Sequence, residues 1–231
     1  MSAARVRVAL VPPAPGSLPA DACAAAIDVL RATTSLTCAR ANGAARIVPF
    51  SDTALALAFR EQHPGTLACG ERDGRIVPGF DLGNSPSEYT AARMSGKTLA
   101  FASTNGSRAL LAAARCRHRW LASFASLSAV VEVLAPESDV WLVCAGKLGS
   151  FALEDAACAG SIAARLAARG ASLANEAATF AASLACATAD DVRALVEGSD
   201  HGRWLTGLGA DFAADVAMCA TLDQFDRCEF W

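Results

Sequence analysis

Short apolar runs alternate with alanine-rich stretches along most of the chain. The apolar runs are rich in valine, isoleucine, leucine and phenylalanine, which is typical of buried β-strands. They predict strands at Val6–Val11, Ala24–Leu30, Arg46–Phe50, Lys97–Ser103, Arg119–Ser123 and Val140–Ala145. The alanine-rich stretches predict helices at Thr33–Asn42, Asp52–Gln62, Ser107–Arg115, Leu127–Leu134 and Leu153–Arg169. Because strands and helices alternate, we expect a three-layer α/β/α fold with a mainly parallel or mixed sheet.

Two regions depart from this alternation. The segment from Gly65 to Pro86 is rich in glycine, proline and polar residues, so we expect it to lack regular elements. At its end, Ser85 is suited to cap a helix, with Pro86 at the first position and Glu88 closing a capping box. From about residue 174 onward the pattern is mostly helical. Without a low-complexity linker or an internal repeat, the chain is expected to form a single domain over residues 1–231.

Composition and charge narrow the range of partners. The net charge is −3, so the chain has no general basic field for nucleic acid. No apolar run reaches the ~18 residues of a membrane span, and no export signal is visible. The nine cysteines include no C-x-x-C pair, which favours reduced thiols and a cytoplasmic protein. With 53% hydrophobic and only 19% charged residues, a homo-oligomer is plausible.

Polar residues cluster directly after the apolar runs, where ligands of open α/β sheets bind. Asp28 lies near the end of the second run, and Arg31, Thr33 and Thr34 come next. A carboxylate in this position can hold Mg²⁺ or attack phosphorus, and an arginine with two hydroxyls can bind an anion. A helix cap beside an exposed arginine is the plainer explanation of the same residues.

Three further clusters have the same character. Glu71, Arg72, Asp81, Asn84 and Ser85 lie within the Gly/Pro-rich segment. After the fourth run come Thr104, Asn105, Gly106 and Arg108, and after the sixth come Lys147, Glu154 and Asp155. Each alone is explained by ordinary turns or by acidic residues in a first helical turn. Together the clusters supply carboxylates for a hard cation such as Mg²⁺ and cations for an anionic ligand, which favours a Mg²⁺ site beside an anion site.

The sequence does not contain the complete motifs of other phosphatase families. Cys69 and Arg75 have the C-x₅-R spacing, but the Pro78-Gly79 pair that follows shortly cannot start the helix which that chemistry requires. Leu30 stands where haloacid dehalogenase-type enzymes place a second aspartate, and no P-loop is present. Among the three histidines only His201 is retained as a candidate.

The order and wording of the clusters resemble the 2-phosphosulfolactate phosphatase family. The resemblance is carried, from about Asp21 to Asp226, by 27–34, 70–72, 79–86, 104–106, 144–160 and the tail block 199–215. It implies the α/β fold of that family and Mg²⁺-dependent hydrolysis of 2-phospho-3-sulfolactate to 3-sulfolactate and phosphate, a step toward coenzyme M in methanogens. Ser103 and Ser107 replace threonines that are common there, and the Glu229-Phe230-Trp231 ending also departs from the family pattern.

Residue roles follow from the clusters and the resemblance together. We expect catalytic roles for Asp28, Arg31, Glu71 and Arg72. Substrate contacts are expected from Thr33, Thr34, Asn84, Ser85, Thr104, Asn105, Gly106 and Lys147, and Mg²⁺ ligands from Asp28, Glu71, Glu154 and Asp155. The attacking group is either water or Asp28. The alternatives are a phosphatase of the same fold acting on another phosphorylated hydroxy acid, and a non-catalytic anion-binding protein.

Overall fold

A computed structural model describes residues 4–231, apart from the side chain of Asp190. Its strands are β1 Arg5–Ala9, β2 Cys23–Ile27, β3 Arg46–Pro49, β4 Thr66–Arg72, β5 Arg75–Ile76, β6 Thr98–Ala102, β7 His118–Ala122, β8 Asp139–Cys144, β9 Ser172–Leu173 and β10 Glu229–Phe230. Its α-helices are α1 Ala32–Ala41, α2 Thr53–Gln62, α3 Ala91–Met94, α4 Gly106–Ala112, α5 Leu127–Leu134, α6 Leu153–Ala168, α7 Glu176–Ala187, α8 Val192–Gly198, α9 Asp200–Thr206 and α10 Ala210–Cys219. The six predicted strands and five predicted helices are all present, and so is the mostly helical region after residue 174.

The segment predicted to lack regular elements contains strand β4, so that prediction is wrong. β4 pairs in parallel with β6 from Thr66 to Gly70. At Gly70, a Cβ atom would lie 1.9 Å from the carbonyl oxygen of Ala102, and φ is +133°. Gly70 therefore permits a close approach of two strands, a feature that in sequence is indistinguishable from a turn glycine.

The capping box predicted at Ser85 does not form. Pro86 does begin a short 3₁₀ turn, as expected. The Ser85 hydroxyl, however, donates to Oδ1 of Asp215 at 2.6 Å, and the Glu88 carboxylate accepts from the Gly83 N–H at 2.9 Å. Ser85 is used to join this turn to helix α10 instead of capping its own helix.

The strands form two sheets, whereas the sequence suggested one. Six strands lie in the order β10-β7-β2-β8-β1-β9, and four in the order β3-β6-β4-β5. All pairs in the first sheet are parallel except β10–β7, and all in the second except β4–β5. The predicted α/β class with mixed sheets is thus confirmed.

Strand β2 shows why the larger sheet is covered on both faces. Every residue of β2 is buried. Cys23, Ala25 and Ile27 belong to a core shared with α5, α6 and α7, while Ala24 and Ala26 belong to a second core shared with α1 and α4. Side chains alternate between the faces of a strand, so a strand buried on both sides is apolar throughout.

Strand β6 divides the second sheet in the same way. Leu99 and Phe101 face the core that contains α1 and α4, and Ala100 and Ala102 face a third core with α2. Helices α1 and α4 therefore lie between the two sheets. The three-layer arrangement surrounds the larger sheet, and the smaller sheet and α2 extend it.

The C-terminal helices pack tightly on one side of the larger sheet. A Cβ atom at Gly160 in α6 would lie 1.8 Å from the carbonyl oxygen of Ala181 in α7, so α6 and α7 meet backbone to backbone. Within residues 4–231, no helix has the length and apolar character needed to cross a membrane.

Candidate functional site

A cavity of about 230 Å³ lies where the carboxyl ends of strands from both sheets converge. β2 and β8 come from the larger sheet, and β4 and β6 from the smaller one. Ligands of parallel α/β sheets bind beyond the carboxyl ends of the strands, and here two sheets contribute to one such edge. The cavity is lined by Asp28, Leu30, Arg31, Glu71, Asp73, Gly74, Asn84, Thr104, Asn105, Lys147, Leu148, His201, Trp204 and Leu205.

Asp28 is the carboxylate at the centre of the strand ends. It follows β2 directly and is only 5% exposed. Its Oδ1 accepts a hydrogen bond from the N–H of Ala32, in the first turn of α1, at 3.3 Å. Burial raises the pKa of Asp28 to about 7, the charges of Glu71 and Glu154 act in the same direction, and the charge of His201 opposes them. The site therefore disfavours a bare negative charge on Asp28.

Arg31 lines the cavity but is already engaged. Its guanidinium pairs with Asp215 at 2.5 Å, donates to the carbonyl oxygen of Gly74 at 2.6 Å and lies over the ring of Phe212. These contacts connect the loop after β2 with the β4–β5 turn and with helix α10. Since Arg31 has a carboxylate partner, its positive charge is largely compensated before any substrate binds.

Glu71 is held by two backbone N–H groups. Oε1 accepts from Thr104 at 2.7 Å and Oε2 from Gly74 at 2.8 Å. Nearby, two oxygen atoms, Oδ1 of Asn84 and Oγ1 of Thr104, are buried without a hydrogen-bond partner. Buried polar atoms normally find a partner, so these two oxygens beside Asp28 and Glu71 are free to contact a bound ligand.

Asn105 and Gly106 shape the side of the cavity next to α4. Oδ1 of Asn105 accepts from the N–H of Leu148 at 2.9 Å and so holds the loop after β8 against the loop after β6. At Gly106, a Cβ atom would lie 2.4 Å from Cβ of Ala32 and 2.7 Å from Oδ2 of Asp28. Only a residue without a side chain lets α4 approach Asp28 this closely.

Helix α9 closes the cavity with His201 and Trp204. Nδ1 of His201 lies 3.2 Å from Oε1 of Glu154. The ammonium group of Lys147 lies 4.4 Å from the centre of the Trp204 ring, a cation–π contact. Burial lowers the pKa of Lys147, and the charges of Glu154 and Asp200 oppose this effect. Lys147 is thus the cavity cation without a carboxylate bound to it among the described residues.

The four carboxylates predicted as metal ligands divide into two pairs. Asp28 and Glu71 line the cavity, and Glu154 and Asp155 lie behind it. Asp155 accepts from the N–H groups of Val29 at 2.8 Å and of Gly146 at 3.0 Å, so it joins two strand-end loops. Burial and the neighbouring carboxylates raise its pKa well above the usual range. Within residues 4–231, no three of these carboxylates offer oxygens within 4.8 Å of one another.

Comparison with known proteins identifies the family of this chain. The family model described as 2-phosphosulpholactate phosphatase matches residues 11–229. The chain belongs to this family. A protein of Synechococcus sp. (strain JA-3-3Ab) named "Probable 2-phosphosulfolactate phosphatase" is 41% identical over 218 residues, covering 93% of this chain and 88% of the relative. Proteins with the same name from Thermotoga petrophila and Synechocystis sp. are each 39% identical, over 202 and 210 residues.

Membership of the 2-phosphosulfolactate phosphatase family places the chain among the phosphoric monoester hydrolases. The matched region contains all four strand-end clusters and helix α9. The cavity residues described above therefore belong to the part of the chain that it shares with its relatives.

Several residues predicted to act in catalysis or to contact substrate do not line the cavity. Thr33 and Thr34 are fully buried, and their hydroxyls form hydrogen bonds with the backbone. The Thr33 hydroxyl accepts from the N–H of Asp28 and donates to the carbonyl oxygen of Ala122. The Thr34 hydroxyl donates to the carbonyl oxygen of Val29. Arg72 turns back to the carbonyl oxygen of Glu71. Ser85 is bonded to Asp215, as described above. Thr33 and Thr34 order the loop that carries Asp28 and therefore support the site from outside it.

The sequence reasoning missed part of the cavity wall. Trp204, Leu205 and Asp73 line it without having been singled out, and Asp215 entered only through the family resemblance. A signal did exist in α9, because His201, Trp204 and Leu205 have the i, i+3, i+4 spacing that puts them on one helix face. Their orientation toward the strand ends depends on how α9 packs.

Proposed function

We propose that this chain hydrolyses 2-phospho-3-sulfolactate, or a closely related small anionic phosphate ester, to the free hydroxy acid and phosphate in the cavity at the strand ends of the two sheets. Support comes from the names of its relatives and from a small cavity with carboxylates and a lysine at the strand ends. Because the nine cysteines are all free thiols, we expect the protein to act in the reducing cytoplasm.

We further propose that the enzyme requires Mg²⁺, held by Asp28 and Glu71. The observation that carries this proposal is the set of oxygens around the cavity: two carboxylates together with the unpaired Asn84 Oδ1 and Thr104 Oγ1. Mg²⁺ prefers oxygen ligands and keeps several waters, so two carboxylates suffice. When bound, Mg²⁺ neutralises charge that builds up on the phosphoryl oxygens.

The chain's own residues position the ester and exclude water. Lys147 offers a positive charge to the phosphate or sulfonate, and Trp204 keeps that ammonium group in place. His201 and Leu205 from α9 cover the cavity. Arg31 holds Asp215 and Gly74, so we assign it to keeping the loop of Asp28 in position. Preorganised charges in a water-poor site are the main source of rate enhancement in phosphoryl transfer.

A less highly charged phosphorylated hydroxy acid is the second candidate substrate. Four cations were expected at the strand ends, but only Arg31 and Lys147 line the cavity, and Arg31 already pairs with Asp215. A substrate with phosphate, sulfonate and carboxylate groups needs more positive charge from the protein than an ester that lacks the sulfonate. The number of cations thus makes both esters worth testing.

The test is phosphate release from a panel of phosphorylated sulfonates and hydroxy acids, with EDTA and then with added Mg²⁺. We expect EDTA-sensitive turnover of 2-phospho-3-sulfolactate, and a Lys147→Met variant that loses more activity toward the sulfonate than toward sulfonate-free esters. The matched control is Lys97→Met, since Lys97 lies away from the cavity. Binding of the esters with no phosphate release would instead favour the non-catalytic anion-binding protein.

A further inference from the structure

A second group of ligand-type side chains lies at the opposite end of the larger sheet. Cys23 is the first residue of β2, and His118 is the first residue of the adjacent β7; the two are paired in register. Glu137 lies just before β8, the other neighbour of β2. One sulfur, one imidazole nitrogen and one carboxylate oxygen of these residues all lie within 4.8 Å of one another. Three adjacent parallel strands thus bring three different metal-binding groups to one point at their amino ends.

We propose that Cys23, His118 and Glu137 form a binding site for Zn²⁺ or a similar transition-metal cation, separate from the hydrolytic cavity. Thiolate, imidazole and carboxylate are all common zinc ligands, and three protein ligands leave a fourth tetrahedral position for water. Thiolate sulfur is a poor ligand for Mg²⁺, so this ligand set selects against the cation proposed for the cavity.

The groups around these ligands suit the same interpretation. Burial, together with the charge of Glu137, raises the pKa of the Cys23 thiol to about 12, so the thiol keeps its proton until a metal ion displaces it. Arg117 donates to Oε2 of Glu137 at 2.7 Å, which orients the carboxylate and leaves Oε1 directed at His118, 2.6 Å from its Nδ1. Hydrogen bonds from outer residues that orient ligands in this way are typical of metal sites.

Entry of the ion is possible from the solvent side. The side chain of His118 is 47% exposed, whereas Cys23 is fully buried beneath it. On binding, the sulfur–metal bond forms as the thiol proton leaves to water, and metal coordination replaces the His118–Glu137 hydrogen bond. No electron is transferred, so neither an oxidant nor a reductant is required.

The experiment is a titration of the metal-stripped full chain with Co²⁺ and Zn²⁺ in excess Mg²⁺. Co²⁺ bound to thiolate gives a charge-transfer absorption in the near ultraviolet, which carboxylate-bound Co²⁺ lacks. We expect one equivalent with this absorption, displaced by Zn²⁺. Since losing even an outer partner weakens metal binding about 10- to 100-fold, His118→Gln should weaken Zn²⁺ binding at least about tenfold.

The matched control is His63→Gln, because His63 is an exposed histidine at the end of α2. It should bind Zn²⁺ as the unchanged chain does. Cys23→Ala should lose the charge-transfer absorption, and His118→Gln, which alters a half-exposed side chain, should fold and retain phosphatase activity. Absence of thiolate absorption in the unchanged chain, or equal Zn²⁺ affinity in His118→Gln, would overturn the proposal and leave an ordinary Arg117–Glu137–His118 ion pair.

Discussion

The two ends of the larger sheet carry titratable groups of different chemistry. At the carboxyl end, Asp28 meets residues of the second sheet around a cavity with oxygen ligands and one lysine. At the amino end of the same strands, Cys23, His118 and Glu137 meet without a second sheet and contribute sulfur, nitrogen and oxygen. The difference shows that strand pairing alone can gather ligands, whereas a cavity requires additional elements to enclose it.

Enclosure at the carboxyl end depends on close backbone approaches. Gly70 lets β4 lie against β6, and Gly106 lets α4 lie against Asp28. Helix α9 then covers the opening with His201 and Trp204. The comparison between the two ends can therefore be tested by changing the oxygen ligands, the glycines and the supporting hydroxyls separately.

The largest expected effect is on the carboxylate at the cavity centre. Asp28→Asn removes a negative charge but keeps the shape, so we expect phosphate release to fall at least about 100-fold because a preorganised catalytic group is lost. The matched control is Asp81→Asn, a carboxylate in the loop after β5 that does not line the cavity. Near-normal turnover in Asp28→Asn, or an equal loss in Asp81→Asn, would remove Asp28 from the centre of the mechanism.

Adding a methyl group at Gly106 should damage both fold and activity. In Gly106→Ala the new atom meets Ala32 and Asp28 at contact distances far below normal, so we expect a loss of about 1–3 kcal/mol in the free energy of unfolding and weaker turnover. Denaturant unfolding measures the first effect. Gly198→Ala is the control, because no atom lies within 4 Å of a Cβ there. Equal stability of the two variants would contradict the close packing at Gly106.

The buried Asp28 should make the metal-free protein less stable as pH rises. Its pKa is about 7 in the folded protein, against 3.8 for an ordinary aspartate, mainly because of burial. Between these values the unfolded chain has lost the proton and the folded protein keeps it, so the unfolded state binds fewer protons and stability falls with increasing pH. The total effect is on the order of a few kcal/mol.

Unfolding in EDTA from about pH 4 to pH 7 checks this trend. Asp28→Asn should flatten the part of the slope that Asp28 causes and should raise the stability of the metal-free protein at pH 7. If the slope is identical in the variant, other groups determine it and Asp28 is not held in a charge-disfavouring site.

The smallest expected effect on catalysis concerns Thr33. Thr33→Val leaves the buried N–H of Asp28 without its hydroxyl acceptor, so we expect a loss of about 1–3 kcal/mol in stability. KM should hardly change, because Thr33 does not line the cavity. Thr90→Val, at an exposed hydroxyl without a capping bond, is the control. A raised KM with unchanged stability would return Thr33 to the substrate contacts expected from sequence.

Much of the fold follows from patterns within single elements. Every residue of β2 faces one of two cores, so its apolar run directly reflects burial. Helix α1 ends at Ala41, within one residue of the predicted end at Asn42, and Gly43 follows with a φ of +95°. Strand β4 was not predicted because Gly70, which allows the close contact with β6, looks like a turn residue in the sequence. The division into two sheets depends on pairing between distant strands, which local patterns do not encode.

The candidate site was also predictable in part from local patterns. Asp28, Glu71, Asn84 and Lys147 follow or end strands, and the rule for strand ends brings them together. The burial of Glu154 against His201 and the engagement of Arg31 by Asp215 depend on the packing of α9 and α10. The cluster of Cys23, His118 and Glu137 depends on the register of β2 with β7, so no local sequence motif predicts it.

The contrast between the two ends is tested most directly by anomalous diffraction from crystals soaked with both Mn²⁺, as a substitute for Mg²⁺, and Zn²⁺. We expect Mn²⁺ between Asp28 and Glu71 in the cavity, and Zn²⁺ between Cys23, His118 and Glu137. Absence of Mn²⁺ from the cavity, or both metals sharing one place, would contradict the account of two chemically distinct ends.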